Sequence, residues 1–114
     1  MLELLFYLIA VHFVTDFALQ SRWMADYKSP EAMPAEFAGH KDWHFWVHVL
    51  TAHSFVNGLG VALVTGVWWL GLCEVICHWL IDYSKCIHKI DVNKDQLCHF
   101  LSKVVWCIVA KGVL

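Results

Sequence analysis

The sequence predicts an all-α fold, an integral membrane four-helix bundle formed as one domain over residues 1–114. Composition is the first observation: 60% of the residues are hydrophobic and only 16% are charged, unlike the balance of soluble domains. The second is that four apolar segments are each near the ~20 residues that cross ~30 Å of hydrocarbon. These predicted helices run over about 2–22, 42–64, 67–88 and 95–113.

The segments between the predicted helices are short, with one exception. The start of the chain lacks the basic region of a signal peptide, so we expect the first helix to stay in the mature protein. The stretch from Arg22 to Lys41 is polar and holds both prolines, which predicts a loop with a short surface helix; the role of residues 29–41 stays open. Thr65-Gly66 predicts a tight turn, and Asn57-Gly58-Leu59-Gly60 predicts a kink or close helix packing.

Basic residues predict the topology. With four crossings, the loops 22–42 and 85–94 lie on the same side, and Lys111 is nearly the only basic residue on the other. By the positive-inside tendency, both loops are predicted to be cytoplasmic and both termini to be outside. The two loops carry Arg22, Lys28, Lys41, Lys85, Lys89 and Lys94.

Charge and cysteine content exclude other classes. A net charge of −2 offers no basic surface, and no nucleic-acid motif is present, so no nucleic-acid partner is expected. The five cysteines are odd in number and include no Cys-x-x-Cys pair. We therefore expect them to be buried free thiols that pack as small apolar residues, with a disulfide or thiolate metal site as the minor alternative.

Four pairs of ligand-capable residues interrupt the apolar segments, each pair spaced i, i+4. They are His12/Asp16, His44/His48, His78/Asp82 and Asp95/His99. This spacing puts both members on one helix face, about 40° apart. Ionisable groups inside a membrane are costly and are functional candidates by default. In the predicted topology all four pairs lie in the cytoplasmic half of the bilayer, which predicts one shared site.

The residue types indicate metal chemistry. Imidazoles and carboxylates are ligands for Zn²⁺ and also suit Mn²⁺ or Fe²⁺, so we predict a divalent metal cofactor, Zn or Mn by preference. Eight ligands exceed the needs of one tetrahedral ion, so the site holds two ions or some residues orient the others. Asp82 or Asp16 is the predicted general base for an activated water. Lys28 and Lys85 are predicted to hold an anionic group, such as a phosphate, at the aqueous mouth.

Other polar residues could extend the site. Glu74 continues the helix face of the third pair and could be a deep ligand or a proton relay. Gln20 and Gln96 could hydrogen-bond the ligands or the substrate. His53 lies about 140° around the helix from His48 and is expected to face another way. Whether four residues join the site is left open: His40, His53, Glu74 and His88.

Several of these motifs resemble a known family. The strings Thr15-Asp16-Phe17…Leu19-Gln20, His78…Ile81-Asp82…Lys85 and Asp95-Gln96…His99 carry the resemblance, which covers nearly the whole chain. The family is an uncharacterised "domain of unknown function" family of small four-helix bacterial and phage inner-membrane proteins. It is similar in layout to proteins proposed to be membrane-bound metal-dependent hydrolases. The resemblance implies a multi-pass protein of the bacterial inner membrane.

The favoured hypothesis is a membrane-embedded metal-dependent hydrolase with its site open to the cytoplasm, a phosphate-bearing compound being the candidate substrate. Its partners would be the lipid bilayer and a small anionic substrate, and a homo-oligomer is left open. One alternative is a metal-ion or proton transporter. The sequence argues against it, because few polar residues are predicted in the outer half of the bundle and a transport path needs them at every depth. The other is a non-enzymatic membrane interaction protein with a structural polar core.

Overall fold

Helices form the regular structure of the protein in the computed structural model, which describes residues 1–32, 35 and 44–114. Helix α1 spans Leu2–Phe13 and continues into a π-helical turn over Val14–Ala18. The chain then forms α2 (Arg22–Tyr27), α3 (Phe45–Thr65), α4 (Trp68–Cys86) and α5 (Val92–Val113). The described residues contain no strand, so the all-α prediction is confirmed.

The predicted first helix is divided into three parts. The Leu19 N–H donates to the Val14 carbonyl, five residues back, at 2.8 Å, and this longer bond defines the π turn. Thr15 and Asp16, inside the turn, are both buried. The chain leaves the helix after the turn, and the Ser21 hydroxyl caps α2 by accepting the Met24 N–H at 3.1 Å. This break separates α2 from α1, and α2 is the short helix expected in the polar segment.

Helices α3 and α4 form the most extensive helix pair. Gly66, at φ 71°, ends α3 in the left-handed conformation that a helix C-terminus favours, so the predicted turn is found. α3 runs through the Asn57–Gly60 stretch, where Gly58 meets Gly71 of α4. A Cβ atom on Gly71 would lie 2.6 Å from the Gly58 carbonyl oxygen, so only glycine permits this separation. The glycines therefore serve close packing.

The side chains are distributed in the opposite sense to those of a soluble domain. Among the described residues, 14 polar or charged residues are buried, against eight hydrophobic ones. In the same part of the chain, 25 large hydrophobic residues are exposed. A small apolar core around Leu8, Val61, Leu70 and Ala110 accompanies the polar interior. The polar residues are therefore the ones that the helices enclose.

Two of the described helices, α3 and α5, are long and apolar enough to cross a membrane. Their 21 and 22 residues correspond to about 32 and 33 Å at ~1.5 Å per residue. α1 has only 12 residues, and α4 carries Glu74, Asp82 and Lys85 within its 19 residues. By length and composition, two of the four predicted crossings are therefore candidate membrane spans among the described helices.

Candidate metal centre

Six of the eight predicted ligand residues meet in the interior, and each is at most 4% exposed. They are His12, Asp16, His78, Asp82, Asp95 and His99. They come from α1, the π turn, α4 and α5. The imidazoles pack against one another: the ring centroids of His78 and His99 are 4.3 Å apart, and those of His12 and His99 are 5.0 Å apart. The separate i, i+4 pairs thus form one cluster.

Four of these side chains have the spacing of a ligand set for one ion. Asp16, His78, Asp82 and His99 each offer one atom, and the four atoms lie within 4.8 Å of one another. His78 Nε2 lies 3.4 Å from Asp16 Oδ1 and 3.6 Å from Asp82 Oδ1. His99 Nε2 lies 3.1 Å from the same Asp82 oxygen. Ligand atoms around a tetrahedral zinc ion are about 3.3 Å apart, and these three separations are close to that value. His12, His78 and His99 form an overlapping group.

The side chain of Gln96 connects several residues of the cluster. Its Oε1 lies 3.2 Å from His12 Nε2, and its amide nitrogen donates to Asp16 Oδ2 at 3.1 Å. The same nitrogen is 3.2 Å from Asp95 Oδ2. Gln96 therefore hydrogen-bonds three candidate ligands from three different segments, which is the role that its place beside Asp95 suggested.

Helix α3 contributes His53 to the cluster, and this corrects the predicted choice of His44 and His48. His53 is 1% exposed, and its Nε2 lies 3.0 Å from Asp16 Oδ1 and 3.5 Å from Asp82 Oδ2. His44 and His48 are exposed, and neither belongs to a ligand-capable group among the described residues. The physical reason is helix rotation: the face that bears His53 packs against α1 and α4, and His48 lies about 140° away from it.

Asn57 and Thr15 form a second link between α3 and the π turn that sequence reasoning did not single out. The Thr15 hydroxyl lies 2.6 Å from Asn57 Oδ1, and the Asn57 amide donates to the His53 carbonyl at 3.1 Å. Both residues are buried. Asn57 follows His53 by one turn on the same helix face, and this spacing was the available signal.

The two lysines predicted at the mouth of the site are paired with its carboxylates. Lys28, only 4% exposed, donates to Asp82 Oδ2 at 2.5 Å. Lys85, whose side chain is 25% exposed, donates to Asp95 Oδ2 at 3.2 Å. The prediction that Lys28 lies at an aqueous mouth is corrected, because α2 returns the chain and places this ammonium inside. Three aspartates and two lysines therefore lie in and beside the cluster.

Glu74 lies one turn before His78 and has its own partners. Its Oε1 accepts from Lys103 Nζ and its Oε2 from Trp106 Nε1, both at 2.6 Å. Glu74 is fully buried, and Lys103 is 1% exposed. Sequence reasoning missed Lys103, although a lysine within an apolar helix is itself the signal of a buried charge pair. Glu74 Oε1 also lies 3.4 Å from His78 Nδ1.

Several buried atoms of the cluster accept or donate no hydrogen bond within the described part of the chain. They are His12 Nδ1, both nitrogens of His78, His99 Nδ1 and Asp95 Oδ1. A buried polar atom without a partner costs about 1–3 kcal/mol, so such groups need an explanation. An ion bound at His78 Nε2 would satisfy one of them. The donor set and the unpartnered Nε2 of His78 therefore fit a divalent cation.

The remaining candidates lie away from the cluster. The His88 side chain is 77% exposed and lies 3.7 Å from Glu31 Oε2. Gln20 is half-buried, and the Arg22 side chain is 96% exposed. His40 and most of residues 29–41 lie outside the described residues. All five cysteines have free thiols, but only Cys107 is buried, so the expectation of buried cysteines is wrong for the others.

The fold and the cluster define a small helical protein with a buried His/Asp group that could hold a metal ion. Residues 4–111 match a family described as "Protein of unknown function (DUF3307)", and the chain belongs to that family. This confirms the expected membership of an uncharacterised family. No curated protein and no solved structure matches the chain.

Proposed function

We propose that this protein is a membrane-embedded hydrolase that uses a divalent metal ion held by Asp16, His78, Asp82 and His99. The observation that carries the proposal is the spacing of these four buried side chains. Three measured ligand-to-ligand distances, from 3.1 to 3.6 Å, match the edges of a tetrahedral zinc site. Mn²⁺ is the alternative ion, since imidazole and carboxylate suit both.

The membrane location is supported by the inverted distribution of side chains. An apolar outer surface around a polar interior is stable where the solvent is hydrocarbon, because helices satisfy their backbone hydrogen bonds internally and the bundle encloses the polar side chains. α3 and α5 have the length and composition of spanning helices. α1 and the π turn together add 17 helical residues, and α4 adds 19, both within the range of a crossing. The charged Glu74 and Asp82 of α4 are buried in the bundle and so leave its outer face apolar.

The orientation follows from charge. Arg22 and Lys28 belong to the segment after the first crossing, and Lys85, Lys89 and Lys94 flank the connection between α4 and α5. With four crossings these two segments face the cytoplasm of a bacterium, and both termini face outward. The metal cluster then lies in the cytoplasmic half, next to both basic segments.

The protein residues have separate tasks in hydrolysis. A bound ion would supply Lewis-acid chemistry, polarising a water molecule and the bond to be cleaved. Asp16 Oδ2 and Asp82 Oδ2 already accept hydrogen bonds from Gln96 and Lys28, so neither is free to take a proton. Asp95 Oδ1 accepts none within the described residues. Asp95 is therefore the better general base, in place of the two aspartates expected from the sequence.

An anionic, phosphate-bearing substrate is supported by the basic residues beside the cluster. The Lys85 ammonium is partly exposed, and its hydrogen bond to Asp95 is long, at 3.2 Å. A substrate phosphate could therefore replace the Asp95 carboxylate as its partner. The Arg22 side chain is exposed and lies in the same segment as Lys28. The Lys28 ammonium is bonded to Asp82. It therefore contributes positive potential near the substrate but makes no direct contact with it.

A second candidate function is a non-enzymatic interaction protein whose polar core fastens the bundle. The observation that favours it is the near balance of buried charge. Lys28 pairs with Asp82, Lys85 with Asp95, and Lys103 with Glu74. Such pairs hold helices together in a membrane without a metal.

Metal analysis separates the two functions. Protein purified in detergent, stripped with a chelator and reloaded with Zn²⁺ or Mn²⁺, is expected to keep close to one ion per chain. His78→Ala and His99→Ala are expected to lose the ion, whereas His48→Ala, which alters an exposed histidine of α3, should keep it. The loaded wild type should cleave phosphoesters in a screen, and Asp95→Asn should keep the ion but lose turnover. Wild-type protein that retains no ion would leave the structural core as the function.

A further inference from the structure

A carboxylate oxygen lies 3.4 Å from each ring nitrogen of His78, close enough for a small adjustment to complete a hydrogen bond. Its Nε2 faces the ligand group, 3.4 Å from Asp16 Oδ1. Its Nδ1 faces the opposite way, 3.4 Å from Glu74 Oε1. The two nitrogens of an imidazole differ in role, since one binds a metal or accepts a proton while the other donates its N–H. The ring therefore lies between the candidate ligands and a separate carboxylate.

The Glu74 carboxylate is fixed from the side away from the ligand group. Lys103 Nζ and Trp106 Nε1, both from α5, donate to its two oxygens at 2.6 Å. Glu74 and Lys103 are at most 1% exposed, so the pair is shielded from water and the carboxylate cannot turn toward solvent. Because Lys103 balances its charge, Glu74 adds no net charge to the cluster.

We propose that Glu74 is a positioning residue and not a ligand: it accepts the Nδ1–H of His78 and so directs Nε2 at the metal. The proposal rests on the proposed metal site. Histidines that bind metals commonly donate the other N–H to a carboxylate, which sets the tautomer and ring orientation. The i, i+4 spacing of Glu74 and His78 on α4 makes that contact local. Lys103 and Trp106 hold the acceptor in place.

The test uses the full chain in detergent with ¹⁵N-labelled histidine. Glu74→Gln is expected to weaken zinc binding by about 10- to 100-fold, because it replaces a charged acceptor with a neutral amide. Trp106→Phe removes one donor to Glu74 and should weaken it less. Glu74→Gln/Lys103→Met removes both charges and serves where an unpaired Lys103 prevents folding. Ser54→Ala is the matched control, since the buried Ser54 hydroxyl bonds only the carbonyl of Leu50 in its own helix among the described residues.

A second readout does not depend on metal. In the zinc-free protein, the Nδ1–H resonance of His78 should move in Glu74→Gln and stay in place in Ser54→Ala. Wild-type protein that binds no zinc would overturn the proposed function, while a shifted Nδ1–H would still support the Glu74–His78 bond. Wild type that binds zinc, together with a Glu74→Gln variant of equal affinity and an unmoved Nδ1–H, would overturn the positioning role alone.

Discussion

His53 Nε2 lies 3.0 Å from Asp16 Oδ1, and this contact joins the middle of α3 to the π turn that follows α1. The π turn carries both Asp16 and Thr15 into the interior, where α3 offers His53 and Asn57 one turn apart. Two successive polar contacts therefore set the rotation of α3 about its axis. That rotation decides which histidine of α3 approaches the candidate metal centre.

The first prediction concerns His48 and His53 of α3 and its N-cap residue, His44. His53→Ala should weaken zinc binding by about 10-fold or more, because Asp16 loses the partner that orients it. His48→Ala and His44→Ala should change the affinity by less than about twofold, since both residues are exposed. Competition with a zinc chelator measures all three variants. Equal losses in His53→Ala and His48→Ala would contradict the observed register.

Lys28 provides a second prediction, because its ammonium neutralises the buried carboxylate of Asp82. Lys28→Met should lower the free energy of unfolding of the metal-free protein by about 3–5 kcal/mol, as a buried carboxylate loses its partner. A divalent ion replaces that charge, so zinc should raise the melting temperature more in the variant than in wild type. Thermal unfolding with zinc and with chelator measures this difference.

The matched control is Lys89→Met, which removes an exposed lysine near the end of α4. It should leave both melting temperatures unchanged. An equal zinc-induced shift in Lys28→Met and wild type would mean that Lys28 and the ion do not share Asp82.

The glycine contact between α3 and α4 gives a third prediction. A Cβ at Gly58 would strike Val75 and lie 2.6 Å from the Gly71 oxygen, and one at Gly71 would lie 2.7 Å from the Ala62 Cβ. Gly58→Ala and Gly71→Ala should each destabilise the fold by about 1–3 kcal/mol through overpacking. Gly112→Ala, with open space around it, should be neutral or slightly stabilising. Unfolding in mixed micelles of a mild and a denaturing detergent measures the free energy of unfolding of the three variants. Equal values for all three would refute the close approach of α3 and α4.

The fourth prediction concerns the membrane. The full chain should remain with the membrane fraction after alkaline carbonate extraction. A periplasmic reporter fused after Leu114 should be active, whereas the same reporter inserted between Lys89 and Asp91 should be inactive, because that connection is predicted to be cytoplasmic. Fluorescence of a cytoplasmic reporter at the two positions gives the reverse pattern. Matching activity at both positions would rule out an odd number of crossings between them.

Much of the candidate site could be predicted from local spacing. Helical turns bring i and i+4 side chains together whatever the rest of the fold does, so His12/Asp16, His78/Asp82 and Asp95/His99 were identifiable. The cost of burying these groups in apolar segments further predicted that they would meet. Both arguments use only neighbouring residues and the nature of the surrounding sequence.

Other parts of the site depend on contacts between distant segments. Lys28 reaches Asp82 only because the helix breaks after Ala18 and α2 turns the chain back. Lys103 and Glu74 are 29 residues apart, so local spacing could signal a buried lysine but could not identify its partner. A π turn also has no marked sequence signature, so the end of α1 was predicted as regular helix.

By itself, the sequence determined an all-α chain with long apolar segments and the residue types able to hold a divalent ion, because composition and helical period are local properties. The tertiary structure decided which histidine of α3 faces inward, which lysines neutralise the aspartates, and which atoms of His78 face the ligands. The reason is geometric: the rotation of each helix about its own axis is set by its packing partners, and a rotation of about 140° exchanges His48 for His53 without any change in local spacing.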